Sequence, residues 1–477
     1  MKAKKIIGML AVLVLLAAGV GWFLFNSGPV VEEAAEETSD WIIPEFDLTE
    51  FQPPVADTIR QSRLRLVANP RSSKAWFYYG AVLDAHKLIA EAEICYRKAQ
   101  ELDPNDRLLI YNYAMLIAST GSRHDEAIAM FERASQLMSD YLPVWYRLGR
   151  LRLEKGEIEQ AKKMYDVAMT LHIDMPAVHY ELGQIYVSLG DMYSGLEHLK
   201  RAAELLPDDS SIYAALSRAY LKDGDQERAT AASKMASQYE LKLSLPDPVR
   251  EGVMALAMDS NSCLQRGIAK MNGDNYAEAI PDLQVAAATL TTNSNLQLRL
   301  GICFYNVDQI ELAEKHLHNA LELRDDIAQA YLYQGIIAVK KFDYAGGVEH
   351  YRSAIKHDPD NVRIHMLLGG ALVMDQKLKE ADRVFSQSRS LGDLDAGAYM
   401  MWGNALIELG QINNAISKLN LAIGLAPQHP ALRLNMGSAL EKLGENAQAI
   451  EQYRKAIELD PSFALARERL QALEGTP

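Results

Sequence analysis

"KAWFYYGAVLDAHKLIAEAEICYRKAQELDPND" occupies residues 74–106, and "ALRLNMGSALEKLGENAQAIEQYRKAIELDPSF" occupies 431–463. Laid over one another without a gap, they pair Gly80 with Gly437, Ala92 with Ala449, Tyr96 with Tyr453, Ala99 with Ala456 and Pro104 with Pro461. A short unit that recurs in this way has to bury its apolar face against the next copy, so the repeat decides the architecture. The same register opens near residues 73, 107, 142, 176 and 210, and again near 260, 294, 328, 362, 396 and 430, with a spacing of about 34 within each series.

Each unit reads as two amphipathic helices and a short turn. Trp76, Tyr79 and Leu83 stand three and seven places apart, which puts them on one helical face. The eighth position is small in every unit, from Gly80, Ala114 and Gly149 to Gly403 and Gly437. Glycine inside a helix costs about 1 kcal/mol relative to alanine, so its recurrence predicts close approach of the partner helix. The second helix carries small residues seven apart with a large one between them, as in Ala161, Tyr165 and Ala168, and Pro104, Pro207, Pro359, Pro427 and Pro461 close their units.

This pattern of Gly, Ala, aromatic, Ala and Pro in register resembles the tetratricopeptide repeats over about four fifths of the chain. The resemblance implies an all-α solenoid, a right-handed superhelix whose concave surface is lined by the first helices and binds peptides or proteins. Groove positions of the family include the fifth and ninth of each unit. In the first series these give Phe77, Tyr111, Tyr146 and Tyr180 at the fifth and Arg150 and Arg218 at the ninth, with Arg147 beside them. The second series gives Leu264, Leu298, Leu332, Met366 and Met400 at the fifth, with Ile268, Ile302 and Ile336 at the ninth. The two series therefore present different candidate grooves, one tyrosine-bearing and one aliphatic, and the aliphatic one is expected to take a partner or to be covered from within. The two-carboxylate clamp that some family members use for chaperone tails is excluded, because the first unit has Phe77 and Ala81 where Lys and Asn are required.

Outside the repeats, residues 1–5 read as a cytoplasmic terminus and 6–25 as an uncharged run of about 30 Å in helical form, long enough for a transmembrane anchor. Lys2, Lys4 and Lys5 before the run favour an inside amino terminus, with a cleaved signal peptide ending near Ala17-Ala18-Gly19 as the alternative. The expectation is a single-pass protein, of bacterial inner-membrane type, with an extracytoplasmic or periplasmic body. Residues 26–54 form an acidic tether, and 55–70 and 462–477 read as helical caps around a first array (73–243) and a second (260–461). Within the tether, 41–48 ("WIIPEFDL") offers apolar residues for self-association or for packing on the first cap. Residues 244–259, "SLPDPVREGVMALAMD", interrupt the count between the arrays. Asp247 suits a helix cap and Pro248 the first helical position, so a joint helix is expected there, either breaking the superhelix or covering the aliphatic groove.

Net charge is −14, without a dense basic stripe, which argues against nucleic acid as a partner. Cys95, Cys263 and Cys303 are too scattered for a disulfide framework or a metal motif. His316 and His318 point to different helix faces, and His350 and His357 are about 10 Å apart along their axis, so no metal site is expected. No phosphate loop or nucleophile elbow occurs, and no cofactor or enzymatic activity is expected. The reading is a protein- or peptide-binding scaffold supporting an envelope assembly. A module for an envelope polysaccharide, working through the tyrosine column and its arginines, is the alternative.

Overall fold

A computed structural model describes residues 42–475. Among the described residues the chain is 25 α-helices and one 3-10 turn, with a single isolated β-bridge. First helices open at Ser73, Arg107, Leu142, Pro176 and Ser210, then at Ser260, Ser294, Ala328, Val362, Ala396 and Pro430, each followed by a second helix of 13 or 14 residues. Contacts divide the chain into two compact units, up to Asp259 and from Ser260 onward.

The eighth-position glycines act by close approach. A Cβ built on Gly80 would stand 2.7 Å from Cδ1 of Tyr96, and one on Gly437 would stand 2.4 Å from Cε1 of Tyr453. The aromatic ring of the second helix therefore lies directly on the first helix's backbone, and Tyr96 and Tyr453 are fully buried there. This contact within each pair, repeated between successive pairs, builds the core of each unit. Aspartates and asparagines cap many first helices, as Asp106 does by accepting from the N–H groups of Leu108 and Leu109 at 2.9 and 3.2 Å.

Cys95, Cys263 and Cys303 are buried free thiols. Burial raises the Cys303 thiol to about 11, so it is a packing group and not a nucleophile.

Several expectations outside the repeats change. The anchor at 6–25 lies outside the described residues, and among the described residues no helix is long and apolar enough to cross a membrane. A spanning helix therefore has no place in the fold described here, and the single-pass assignment with an extracytoplasmic body is withdrawn with it. The far end of the acidic tether is not extended into solvent. Ile43, Phe46, Leu48 and Phe51 pack on the first unit's core, and the carbonyl of Pro44 accepts from the Tyr79 hydroxyl at 2.8 Å and from Arg63 Nε at 3.3 Å. Ile43, Phe46 and Leu48 thus serve their own chain, and Ile42 alone of the segment's described aliphatic residues is largely exposed, so the self-association expectation is not supported. Trp41 lies outside the described residues.

Candidate functional site

In the first unit the face built by the first helices is occupied by the chain itself. After the last second helix ends at Gln238, residues 240–258 turn back and run along that face from the fifth repeat to the first. Asp209 starts the return: its buried carboxylate accepts from the backbone N–H groups of Lys242 and Leu243, both at 2.6 Å, while Glu240 carbonyl accepts from Ser210 N–H at 3.0 Å. Burial pulls the Asp209 carboxyl upward, but hydrogen bonds from Ser211 and from the Lys242, Ile212 and Leu243 amides together hold it below the ordinary Asp value.

From there the strap alternates, with Leu243, Leu245 and Asp247 inward and Lys242, Ser244 and Pro246 exposed, the period of extended chain. Leu243 and Leu245 pack on the cluster that contains Tyr146, Tyr165 and Leu182. Asp247 is only 3% exposed. It accepts from the Tyr111 hydroxyl, from the Tyr141 hydroxyl at 2.8 Å, and stands 3.7 Å from the Arg147 guanidinium. It also caps the short helix Pro248–Met254, whose Arg250 N–H donates to it at 3.2 Å. That helix rests on the helices Ser73–Ala85 and Arg107–Ser119. Arg250 makes a two-pronged pair with Asp84, one prong at 2.9 Å, and Asp84 also accepts from Tyr96 at 3.0 Å. Val253 completes the anchor inside the first core.

The contacts of the joint are with the tyrosines and Asp84 of its own unit. Tyr111 is fully buried and Tyr146 is 7% exposed, donating to Glu181 at 3.0 Å. Burial first, and then the adjacent carboxylates, push both phenols well above their usual range. Neither presents a ring to a ligand. Phe77 is half-buried against Tyr96, and Tyr180 is half-buried, leaving Arg150 and Arg218 as the exposed members of the expected set.

The second unit differs. Leu298, Ile302 and Leu332 are 7–8% exposed, while Leu264, Ile268, Ile336, Met366 and Met400 are half-buried. The aliphatic ladder is therefore largely packed between neighbouring helices and forms a floor. Above it, a cleft of about 400 Å³ opens between the sixth, seventh and eighth repeats, walled by Asn272, Asn295, Arg299, Gln329 and Tyr333. These residues sit mainly at the second and sixth positions, one helical step from the fifth and ninth. Sequence reasoning passed over them, although second, fifth, sixth and ninth positions share a face. Burial, as the leading influence, raises the Tyr333 phenol, and Arg363 nearby counters it. Such a wall supplies amide donors and acceptors for a backbone and a guanidinium for a carboxylate.

Comparison with known proteins agrees with this architecture. Tetratricopeptide repeat models match residues 73–106, 122–170, 176–209, 334–387, 396–429 and 430–463. The Tetratricopeptide repeat-containing protein trd-1 of Caenorhabditis elegans is 23% identical over 223 residues, 45% of this chain and 28% of the worm protein. The BBSome complex member BBS4 of Bos taurus is 35% identical over 71 residues, 15% of this chain and 13% of the bovine protein. The chain thus spans under a third of either curated relative. Among solved structures, YrrB, described as a TPR protein with an unusual peptide-binding site, is 23% identical, with 39% of this chain and 96% of that one covered and a TM-score of 0.37. With its repeats, its glycine-on-aromatic contacts and family models matching about half of its length, the chain belongs to the tetratricopeptide repeat family.

Proposed function

We propose that this chain is a non-enzymatic scaffold that binds a partner protein through an extended, acidic segment laid along the first helices of the second unit. The cleft at Asn295, Arg299, Gln329 and Tyr333 carries this reading. Its apolar floor takes alternate side chains of an extended peptide, the amides meet the peptide backbone, and Arg299 gives a preference for a carboxylate. Tetratricopeptide repeats bind proteins and peptides in general, which supports the class of partner. The carbohydrate alternative has no such support, since Tyr111 and Tyr146 are buried.

A photo-crosslinking amino acid placed at Tyr333 of the full chain would capture the segment that enters the cleft. That segment, synthesised as a peptide, should bind the chain and lose roughly tenfold or more in affinity, about 1.4 kcal/mol, in the Asn295→Ala, Arg299→Ala variant. Unchanged affinity in the variant would sink the reading.

A further inference from the structure

The strap of the first unit behaves as a bound ligand that happens to be covalently attached. It adds no helix pair to the array, and the two helices of a repeat pair through contacts such as Tyr96 on Gly80. Its most buried anchors are Asp247 at 3%, Val253 at 5% and Ala257 at 4% exposure. Along the strap Ser244, Pro246, Glu251 and Met254 face outward, and Leu241 is 72% exposed. Alternating inward residues, a carboxylate received by two hydroxyls and a guanidinium, and a short amphipathic helix docked on two first helices are how a repeat groove holds a peptide.

We infer that the first unit contains a second, separate peptide-binding groove, held closed by the chain's own residues 240–258. The segment it accepts has two apolar residues at alternate places, then an acid two residues on, then a short helix that brings a cation to Asp84. A partner that opens the groove has to carry this same pattern, because each feature has a fixed receiver: Tyr111 and Tyr141 for the acid, Asp84 for the cation. The inference does not rest on the cleft of the second unit. Either groove stands if the other fails.

The test uses the full chain and a fluorescent peptide with the sequence of residues 240–258. In the chain carrying Asp247→Ala and Val253→Asp, the tethered strap loses two of its three most buried anchors, and the peptide supplied in trans should take its place. Affinity for this variant is expected to exceed that for the wild-type chain at least thirtyfold, and a peptide with its own Asp247→Ala change should lose most of the gain. Hydrogen exchange of residues 73–154 is followed in parallel. A variant that keeps its protection and still ignores the peptide overturns the inference. So does a variant whose helices in that range lose protection, because the strap is then a structural member and not a ligand. Equal binding to wild type and variant overturns it as well, since that site is not the one the strap fills.

Discussion

The first unit and the second are built from the same repeat, yet one has filled its groove and the other has left it open. The difference starts at the fifth position. Tyr111 and Tyr146 carry hydroxyls that need partners once buried, and the unit supplies carboxylates: Asp247 from the strap and Glu181 from the next repeat. Leu298 and Leu332 at the same position ask for nothing polar. They settle into a floor, and the polar groups of that unit move to the second and sixth positions, where solvent or a partner satisfies them. In this chain the tyrosine column lies under residues of the chain itself, and the aliphatic column lies under the cleft at Asn295 and Arg299.

The strongest way to break this comparison is Arg250→Met. Asp84 would remain buried with its cation removed, at a cost of about 3 kcal/mol or more. Denaturant unfolding followed by hydrogen exchange should show the loss in the first unit alone, with the second unit's transition unmoved. A much smaller loss would mean that the strap simply leaves and lets water reach Asp84, which sharpens the ligand-like reading of residues 240–258.

Gly335→Ala probes the second unit in the same way. Helix propensity by itself favours the change by about 1 kcal/mol, but the added Cβ would meet the Tyr351 ring at 2.5 Å. Overpacking of this kind costs about 1–3 kcal/mol, so a net loss of stability is expected, read as an earlier thermal transition. A gain would show that the ring moves aside and that the close contact does not hold the pair together.

The smallest effect concerns the clasp at Asp209. Its carboxyl lies below the ordinary value of 3.8, so the unfolded state takes up the proton first. Its contribution to stability is present above that value and is lost as pH falls through the lower folded value. Asp209→Asn should cost about 1.5 kcal/mol at neutral pH, the scale of a hydrogen bond to a charged group. It should also flatten the acid limb of the stability profile, seen as faster amide exchange at Lys242 and Leu243. An unaltered acid limb would remove Asp209 as the group that ties the strap down.

The solenoid is legible in the sequence because nine of the eleven repeats restate one local contact, a glycine under a large side chain sixteen residues on. Gly80 and Tyr96 are sixteen residues apart, and the relation recurs down to Gly437 and Tyr453. The open groove is half legible. Counting fifth and ninth positions finds its floor at Leu298 and Ile302, but Asn295, Arg299, Gln329 and Tyr333 stand one step round the helix, where no repeat rule constrains the residue type. The strap is not legible as an occupant at all, since Tyr111 and Asp247 are 136 residues apart and nothing periodic links them. "SLPDPVREGV" reads as a helix start, and it is one, but no local pattern tells which face receives it.

That separation sets an order of events on the ribosome. The five repeats of the first unit are all synthesised before residue 247, so Tyr111, Tyr141 and Arg147 emerge with no carboxylate yet made to meet them. Pairing within repeats is short-range and fast, whereas the strap closes a loop of well over one hundred residues. During that interval the nascent chain displays an unfilled groove, and whatever meets it first, a chaperone, a partner or the strap itself, does so in competition.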